Sequence, residues 1–346
     1  KEKSEKALEE AQAALNKAKE EEAENLNKIK QLEAKRDEQQ AVLNNKQKQL
    51  ENAKAEKEKI EDEIKKNEAI FGVKGILTEI KFDQEFVDAL KTYQKASFAE
   101  QQKTIASVVA KEKEAVKKYP ILDTDSIDYS NSEKVDVNNL SEKDQILLTQ
   151  YFNYLNNQVR KQFGLEPLKV NKNSMQLAKE ITETVMRDNH SNLNGGHYIK
   201  GISEVAAKHG LLRGANYYEN LYNAASSTFK DHKMSRNALY EHVYNSVMLF
   251  FYEGKYTGNY AHAESLYKAK TPMGLGVAHF ENVGDTYNVN RLPKELIEKY
   301  KQYVVFDEFG NILDLKHMPL NVYEEFEKAK ANAPKQGVIK ISYIKV

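Results

Sequence analysis

Apolar residues recur at heptad spacing over the first seventy positions, then at helical spacing through the middle of the chain. Only near the end do they alternate or run together. With a positions at 8, 15, 22, 29, 36, 43, 50, 57 and 64, and d positions from 11 to 67, eleven of eighteen are apolar. They include Leu8, Leu15, Ile29, Leu32, Leu43, Leu50, Ile60 and Ile64. This spacing predicts a coiled coil. Glu22, Arg36 and Lys57 at a, and Ala11, Ala18 and Ala53 at d, weaken the seam. Pairs such as Glu24 with Lys28 add only tenths of a kcal/mol each, so a partner helix is expected, from a second chain or a returning segment. At about 1.5 Å per residue the rod would span roughly 105 Å.

Gly72 and Gly75 break the rod. Phe82, Phe86, Val87, Leu90 and Tyr93, and then Ile105, Val108, Val109 and Val116, return at helical spacing until Pro120. They predict a helical hairpin, with residues 123–139, rich in Asp, Ser and Asn, as a loop. No chemistry is expected in this connector. From Leu140 the head begins. Ser141 with Asp144 has the form of an N-cap, ahead of an amphipathic run over 146–163 that Gly164 stops. Further helices are expected over 174–187, over 203–209 closed by Gly210, and over 235–252 capped by Ser235. In the last, Leu239, Val243, Val247, Phe250 and Phe251 would face a core. The period then changes. Residues 274–280 and 286–289 read as buried strands around a turn at 282–285. Residues 304–315 read as a hairpin about Gly310-Asn311, and residues 338–346 as an edge strand. Helices first and strands last make an α+β layered domain. The expected organisation is 1–70 coiled-coil stalk, 71–139 helical connector and 140–346 head.

Composition sharpens this division. Residues 1–70 hold no Gly, Pro or aromatic residue, whereas all eight His fall between His190 and His317. Lys+Arg and Asp+Glu are both 52; that balance argues against a nucleic-acid binder working through bulk charge. There is no Cys, which excludes disulfides, thiolate metal sites and a Cys nucleophile. No apolar run approaches the roughly 18 residues of a membrane span. The chain opens on Lys1 without a signal peptide, so targeting segments are expected to lie outside it.

The sequence carries no phosphate loop, no G-x-S-x-G and no H-E-x-x-H. Three segments of the head could carry chemistry. In Gly195-Gly196-His197-Tyr198 two glycines put a His on a tight turn. In Tyr217-Tyr218-Glu219-Asn220-Leu221-Tyr222 an acid sits among aromatics, a setting that tends to bury it. Asn259-Tyr260-Ala261-His262-Ala263-Glu264 follows the apolar helix. Imidazoles and carboxylates together can hold a divalent ion such as zinc, or can simply form a hydrogen-bonded network that locks loops together. His190, His209, His232, His242, His279 and His317 read as surface or packing residues.

These segments, in this order, resemble the superfamily of cysteine-rich secretory, antigen-five and pathogenesis-related proteins, the CAP fold. The resemblance rests on Leu155-Asn156-Asn157-Gln158-Val159-Arg160 followed by Gly164-Leu165-Glu166-Pro167-Leu168, on Glu219-Asn220-Leu221-Tyr222, and on Gly274–Val277. A CAP-like head on a charged helix is similar to the PgrA-type surface-exclusion proteins of Gram-positive conjugative elements. Gly196-His197-Tyr198, Val243-Tyr244-Asn245-Ser246 and Ala261-His262-Ala263 carry that likeness. The resemblance implies an α-β-α sandwich head with a cleft of two His and two Glu: His197, Glu219 and His262, with Glu253 as the second carboxylate and Glu241 and Glu264 as alternatives. Tyr218 departs from the Gly that many relatives carry before the Glu.

What the resemblance implies for function is surface exclusion: an extracellular, wall-anchored protein whose head engages a surface adhesin and limits redundant conjugative transfer. The alternatives are a metal-dependent peptidase of the CAP type and a small-ligand binder. In the peptidase, His197 and His262 hold a divalent metal such as zinc and Glu219 is the base. Partners implied are the adhesin and, through the coiled coil, a second copy of the chain, with no nucleic acid and no membrane span.

Overall fold

The structure is a computed structural model. It describes residues 1–122, 132–191, 196–226, 230–283, 294–306, 312–332 and 336–345. The chain divides into two compact units, Lys1–Lys66 and Asn67–Val346.

The first unit is helix throughout, the leading part of α1 (Glu2–Phe71). Its seam residues Leu8, Leu15, Ile29, Leu32, Leu43, Leu50 and Ile60 are all exposed in the single chain. Ion pairs at i,i+4, such as Lys28–Glu24 at 3.1 Å and Lys57–Glu61 at 3.5 Å, run along its surface.

The second unit is α+β. Its core opens with Phe71, Val73, Ile76 and Ile80, followed by α2 (Gln84–Lys95) and α3 (Phe98–Lys118). Asp83 caps α2 and a Ser97/Glu100 capping box starts α3. The connector therefore does not stand apart from the head. Phe86, Val87, Leu90, Val108 and Ala115 are buried in the same cluster as Leu155, Val247 and Phe251. Two glutamines of α4 (Glu142–Gln162) bind the extended stretch before α2 as a neighbouring strand would. Gln158 receives Ile80 N and donates to Thr78 O, and Gln162 does the same for Phe82 N and Ile80 O, at 2.7–3.2 Å.

Ser141 caps α4 as expected, accepting from Asp144 N at 3.1 Å. Gly164, at φ 71°, turns the chain out of its end. Then come α5 (Lys172–Arg187) and α6 (Ile199–Lys208), the latter starting four residues before the expected 203 and closed by Gly210 at φ 68°. The long apolar helix is α7 (Arg236–Phe251), capped by Ser235. It is followed by the short α8 (Gly254–Thr257) and α9 (Ala261–Lys268). Part of the expected 123–139 loop is ordered as strand β1 (Lys134–Asp136), paired with β3 (Lys233–Ser235).

The main sheet is antiparallel and joins β2 (Glu219–Ser226), β7 (Gln336–Lys345) and β4 (Met273–Val283) in the order β2-β7-β4. The C-terminal strand is thus central, not the edge strand its alternation suggested. Its polar positions Lys340 and Ser342 are as buried as Ile339, Ile341 and Tyr343, because helices cover both faces. On one face Tyr343 packs on Phe152 of α4 and Phe250 of α7, at ring distances of 4.2 and 5.4 Å. On the other, Ile344 joins Leu177 and Ile202, and Val338 joins Val185. Gly274 and Gly276 let α5 approach the sheet: a Cβ there would meet Ser174 O at 2.1 Å and Ala178 O at 2.5 Å. The result is an α-β-α sandwich. Of the expected 304–315 hairpin, β5 (Val304–Phe306) and β6 (Ile312–Leu315) pair antiparallel, with α10 (Lys294–Tyr300) before them and α11 (Leu320–Ala331) after; the expected turn at Gly310-Asn311 lies outside the described residues. The expected strand at 286–289 lies outside the described residues, and Asn282 and Val283 of the expected turn belong to β4.

Candidate functional site

His197 follows Gly196, whose φ of 59° makes the turn into α6. The imidazole Nδ1 donates to Glu219 Oε2 at 2.7 Å. Glu219 opens β2, where the Asn216 side chain receives its amide at 2.9 Å and donates to its carbonyl at 2.8 Å. Its carboxylate is buried, and the second oxygen, Oε1, accepts Ser342 Oγ from the central strand at 2.6 Å. Both oxygens are therefore engaged. Buried and held from two sides, this carboxylate is placed to orient the His197 ring.

The second acid is Glu253, between α7 and α8. Its Oε2 accepts His262 Nδ1 at 2.6 Å, and its Oε1 accepts the amides of His262 and Ala263 at 2.8 and 3.1 Å. The carboxyl is buried and all its donors come from the start of α9. Phe250 stacks on the His262 ring at 5.0 Å. The alternatives lie elsewhere: Glu264 pairs with Lys268 on the surface of α9, and Glu241 sits on α7.

The structure brings the two dyads together. The rings of His197 and His262 are 6.3 Å apart, tilted by 41°. Both are partly exposed while their acids are not. With each Nδ1 given to a carboxylate, the lone pair of each imidazole is left on Nε2. No hydrogen bond from a described residue reaches either Nε2.

That donor set fits an ion bound through two neutral imidazoles, the carboxylates lying behind them as orienting groups. Among the described residues no group of three or more His, Cys, Asp or Glu side chains is gathered as a metal cage. Remaining coordination positions would fall to solvent or substrate, an open arrangement.

Several neighbours carried no signal in the sequence. Ser342 and Lys340 reach the site side of the sheet from a strand more than a hundred residues away. Burial pushes the Lys340 ammonium down to about 8, against the attraction of Glu219. Glu112 of α3 is fully buried, 142 residues from the amide of Gly254 that it accepts at 3.0 Å. Asn157 and Arg160 of the α4 motif act as staples. Asn157 binds Leu168 N and O, and Arg160 binds the carbonyls of Glu166 and Leu266, fixing the end of α9. Tyr218 packs with Leu177 and Ile202, away from the dyads. Five of the other histidines have neighbours of their own: His190 stacks on Tyr198, His209 meets Glu180, His242 meets the Tyr222 hydroxyl, and His232 meets His279; His317 is exposed.

No protein-family model matches the chain, and a search of curated proteins finds no match. The chain is similar to a solved structure, the CAP domain of Enterococcal PrgA. The two share 22% identity, the alignment covers 80% of this chain and 87% of that one, and the TM-score is 0.43. No helix among the described residues is long and apolar enough to cross a membrane.

Proposed function

We propose that this chain is a cell-surface recognition protein of the surface-exclusion type. Its head engages a surface adhesin of an approaching cell at the cleft of His197 and His262, and so limits redundant conjugative transfer. The observation that carries the reading is the convergence of two His–Glu dyads, scattered from 197 to 262 in sequence, into one adjacent pair. Both rings are partly exposed, so with Nδ1 held by the carboxylates each Nε2 is open to a ligand entering the cleft. The motif order of the head supports an extracellular, wall-anchored setting. The charged helix serves as the stalk, with its exposed leucines and isoleucines as the seam for a second helix.

The same Nε2 atoms favour a second activity at the same cleft, metal-dependent cleavage of the adhesin. A bound divalent ion such as zinc would supply Lewis acidity toward a peptide carbonyl and toward water. Glu219 and Glu253 hold the imidazole tautomers, Phe250 walls one ring from solvent, and the sheet fixes Glu219 through Ser342.

The test is the double variant His197→Ala/His262→Ala, folded by circular dichroism, assayed for adhesin binding, adhesin cleavage and exclusion of donor cells. Loss of all three supports a catalytic cleft. Loss of cleavage with exclusion retained leaves a binding head whose contact surface lies elsewhere. Retention of all three overturns the cleft as the working site.

A further inference from the structure

Glu253 and His262 belong to the eleven-residue loop 253–263, whose shape determines where the second imidazole stands. Glu253 closes this loop from within by binding the amides of residues 262 and 263. A second carboxylate holds it from outside. Glu112, on α3, accepts the amide of Gly254 at 3.0 Å and the hydroxyl of Tyr260 at 2.5 Å on Oε2, and the amide of Lys255 at 3.3 Å on Oε1. Gly254 directly follows Glu253, and Tyr260 precedes His262 by two residues, so these bonds grip the loop at both ends.

The packing is correspondingly close. A Cβ on Gly254 would lie 2.4 Å from the Tyr260 ring and 2.7 Å from Glu112 Oε2. Tyr260 is itself seated on α2, 5.4 Å from Tyr93 and 6.3 Å from Phe86 between ring centres. Burial pushes the Glu112 carboxyl upward and the bonds from Tyr260, Lys255 and Gly254 oppose it. Burying a carboxyl at the heart of a helical hairpin is costly unless its acceptors are used. Here every bond recorded for it is to this one loop.

We propose that Glu112 is a positioning residue of the cleft: through Gly254, Lys255 and Tyr260 it fixes the 253–263 loop so that Glu253 can hold His262, which makes the α2–α3 hairpin part of the site. This rests on the reading of the His197/His262 pair as the working cleft, and its test separates the two.

The measurement is amide hydrogen exchange at His262 and Ala263 in the full chain, with Co²⁺ titration as a second readout. Glu112→Gln keeps the shape of the side chain but replaces one accepting oxygen by a donor. Exchange at 262 and 263 is expected to quicken about ten-fold or more while the β7 amide of Ile341 keeps its rate. Cobalt affinity is expected to fall about 10–100-fold, as for loss of an outer-shell partner. Tyr260→Phe, which removes one donor of three, should act in the same direction and less strongly, and it decides the matter if Glu112→Gln does not fold. Unchanged exchange at 262 and 263 in a folded variant, or a uniform rise that includes Ile341, overturns the proposal and leaves Glu112 a packing residue. If the unaltered protein takes up no cobalt, the metal reading of the cleft falls while the exchange rates still judge Glu112.

Discussion

The rings of His197 and His262 lie 6.3 Å apart, each turned by its Nδ1 onto a separate buried carboxylate. The two carboxylates are not equivalent. Glu219 accepts from one imidazole and one hydroxyl, whereas Glu253 accepts from one imidazole and two backbone amides.

This difference predicts an order of stability. A buried donor stripped of its acceptor costs about 1–3 kcal/mol. Glu219→Ala leaves Ser342 Oγ and His197 Nδ1 without theirs, and partly exposed His197 can turn to water. Glu253→Ala strips two amides that cannot turn. Urea unfolding should place both variants below the parent, with Glu253→Ala lower by about 1 kcal/mol or more. Equal midpoints would contradict the accounting.

Much of the fold could be read from the chain because its signals were local. Ser141 and Ser235 cap the helices they precede, Gly164 and Gly210 end theirs, and the two strands expected within 304–315 do pair antiparallel. The grouping of His197, Glu219, Glu253 and His262 follows from motif order, since nothing in local spacing ties position 197 to 219 or 253 to 262. What escaped was set by tertiary context. Residues 338–345 alternate as a half-exposed strand would, yet a helix layer buries Lys340 and Ser342 on the second face. Glu112 lies in an ordinary charged helical stretch, and only a fold that brings α8 onto α3 gives it partners. The periodicity of Phe82 and Phe86 is equally that of a separate connector, because hydrophobic periodicity shows that a face is buried, not what buries it.

Gly274 and Gly276 should tolerate no side chain. Their missing Cβ atoms leave room for the α5 backbone at Ser174 and Ala178, and backbone cannot move aside as a flexible side chain can. Overpacking typically costs about 1–3 kcal/mol and occasionally more. Thermal unfolding of Gly274→Ala and Gly276→Ala should show both destabilised, Gly274→Ala more so, its contact being the shorter. A parent-like melting temperature for either would mean that α5 is not held against β4 as described.

Lys340 gives the head an alkaline signature. Its folded value is about 8, below the roughly 10.4 of an unfolded lysine. Between those values the unfolded state binds more protons, so this residue makes stability rise with pH across that window, and the gain is lost as pH falls through about 8. Lys340→Met removes the effect, while tyrosine titrations common to both proteins cancel in the comparison. From pH 7.5 to 9.5 the parent should gain on the order of 2 kcal/mol relative to the variant. A pH-independent difference in urea midpoint between the two would mean that the ammonium stays solvated in the folded head.

The unit boundary near residue 66 predicts opposite results for two truncations. The large core cluster of the head starts at Phe71, and no residue before Asn67 is buried. Removal of residues 1–66 should therefore leave a folded head with its melting temperature changed by only a few degrees. Removal of residues 1–122 also takes Phe82, Phe86, Val87, Leu90, Tyr93 and Val108, all buried in the one cluster that also holds residues of α4 and α7. Each large core side chain lost costs about 2–5 kcal/mol, against a total stability of about 5–15 kcal/mol for a domain. The shorter chain should thus lack the dispersed methyl and amide resonances of a folded protein and should be rapidly cut by trypsin. A protease-resistant head beginning near residue 132 would show that the α2–α3 hairpin is an accessory, and that neither the core nor the cleft depends on it.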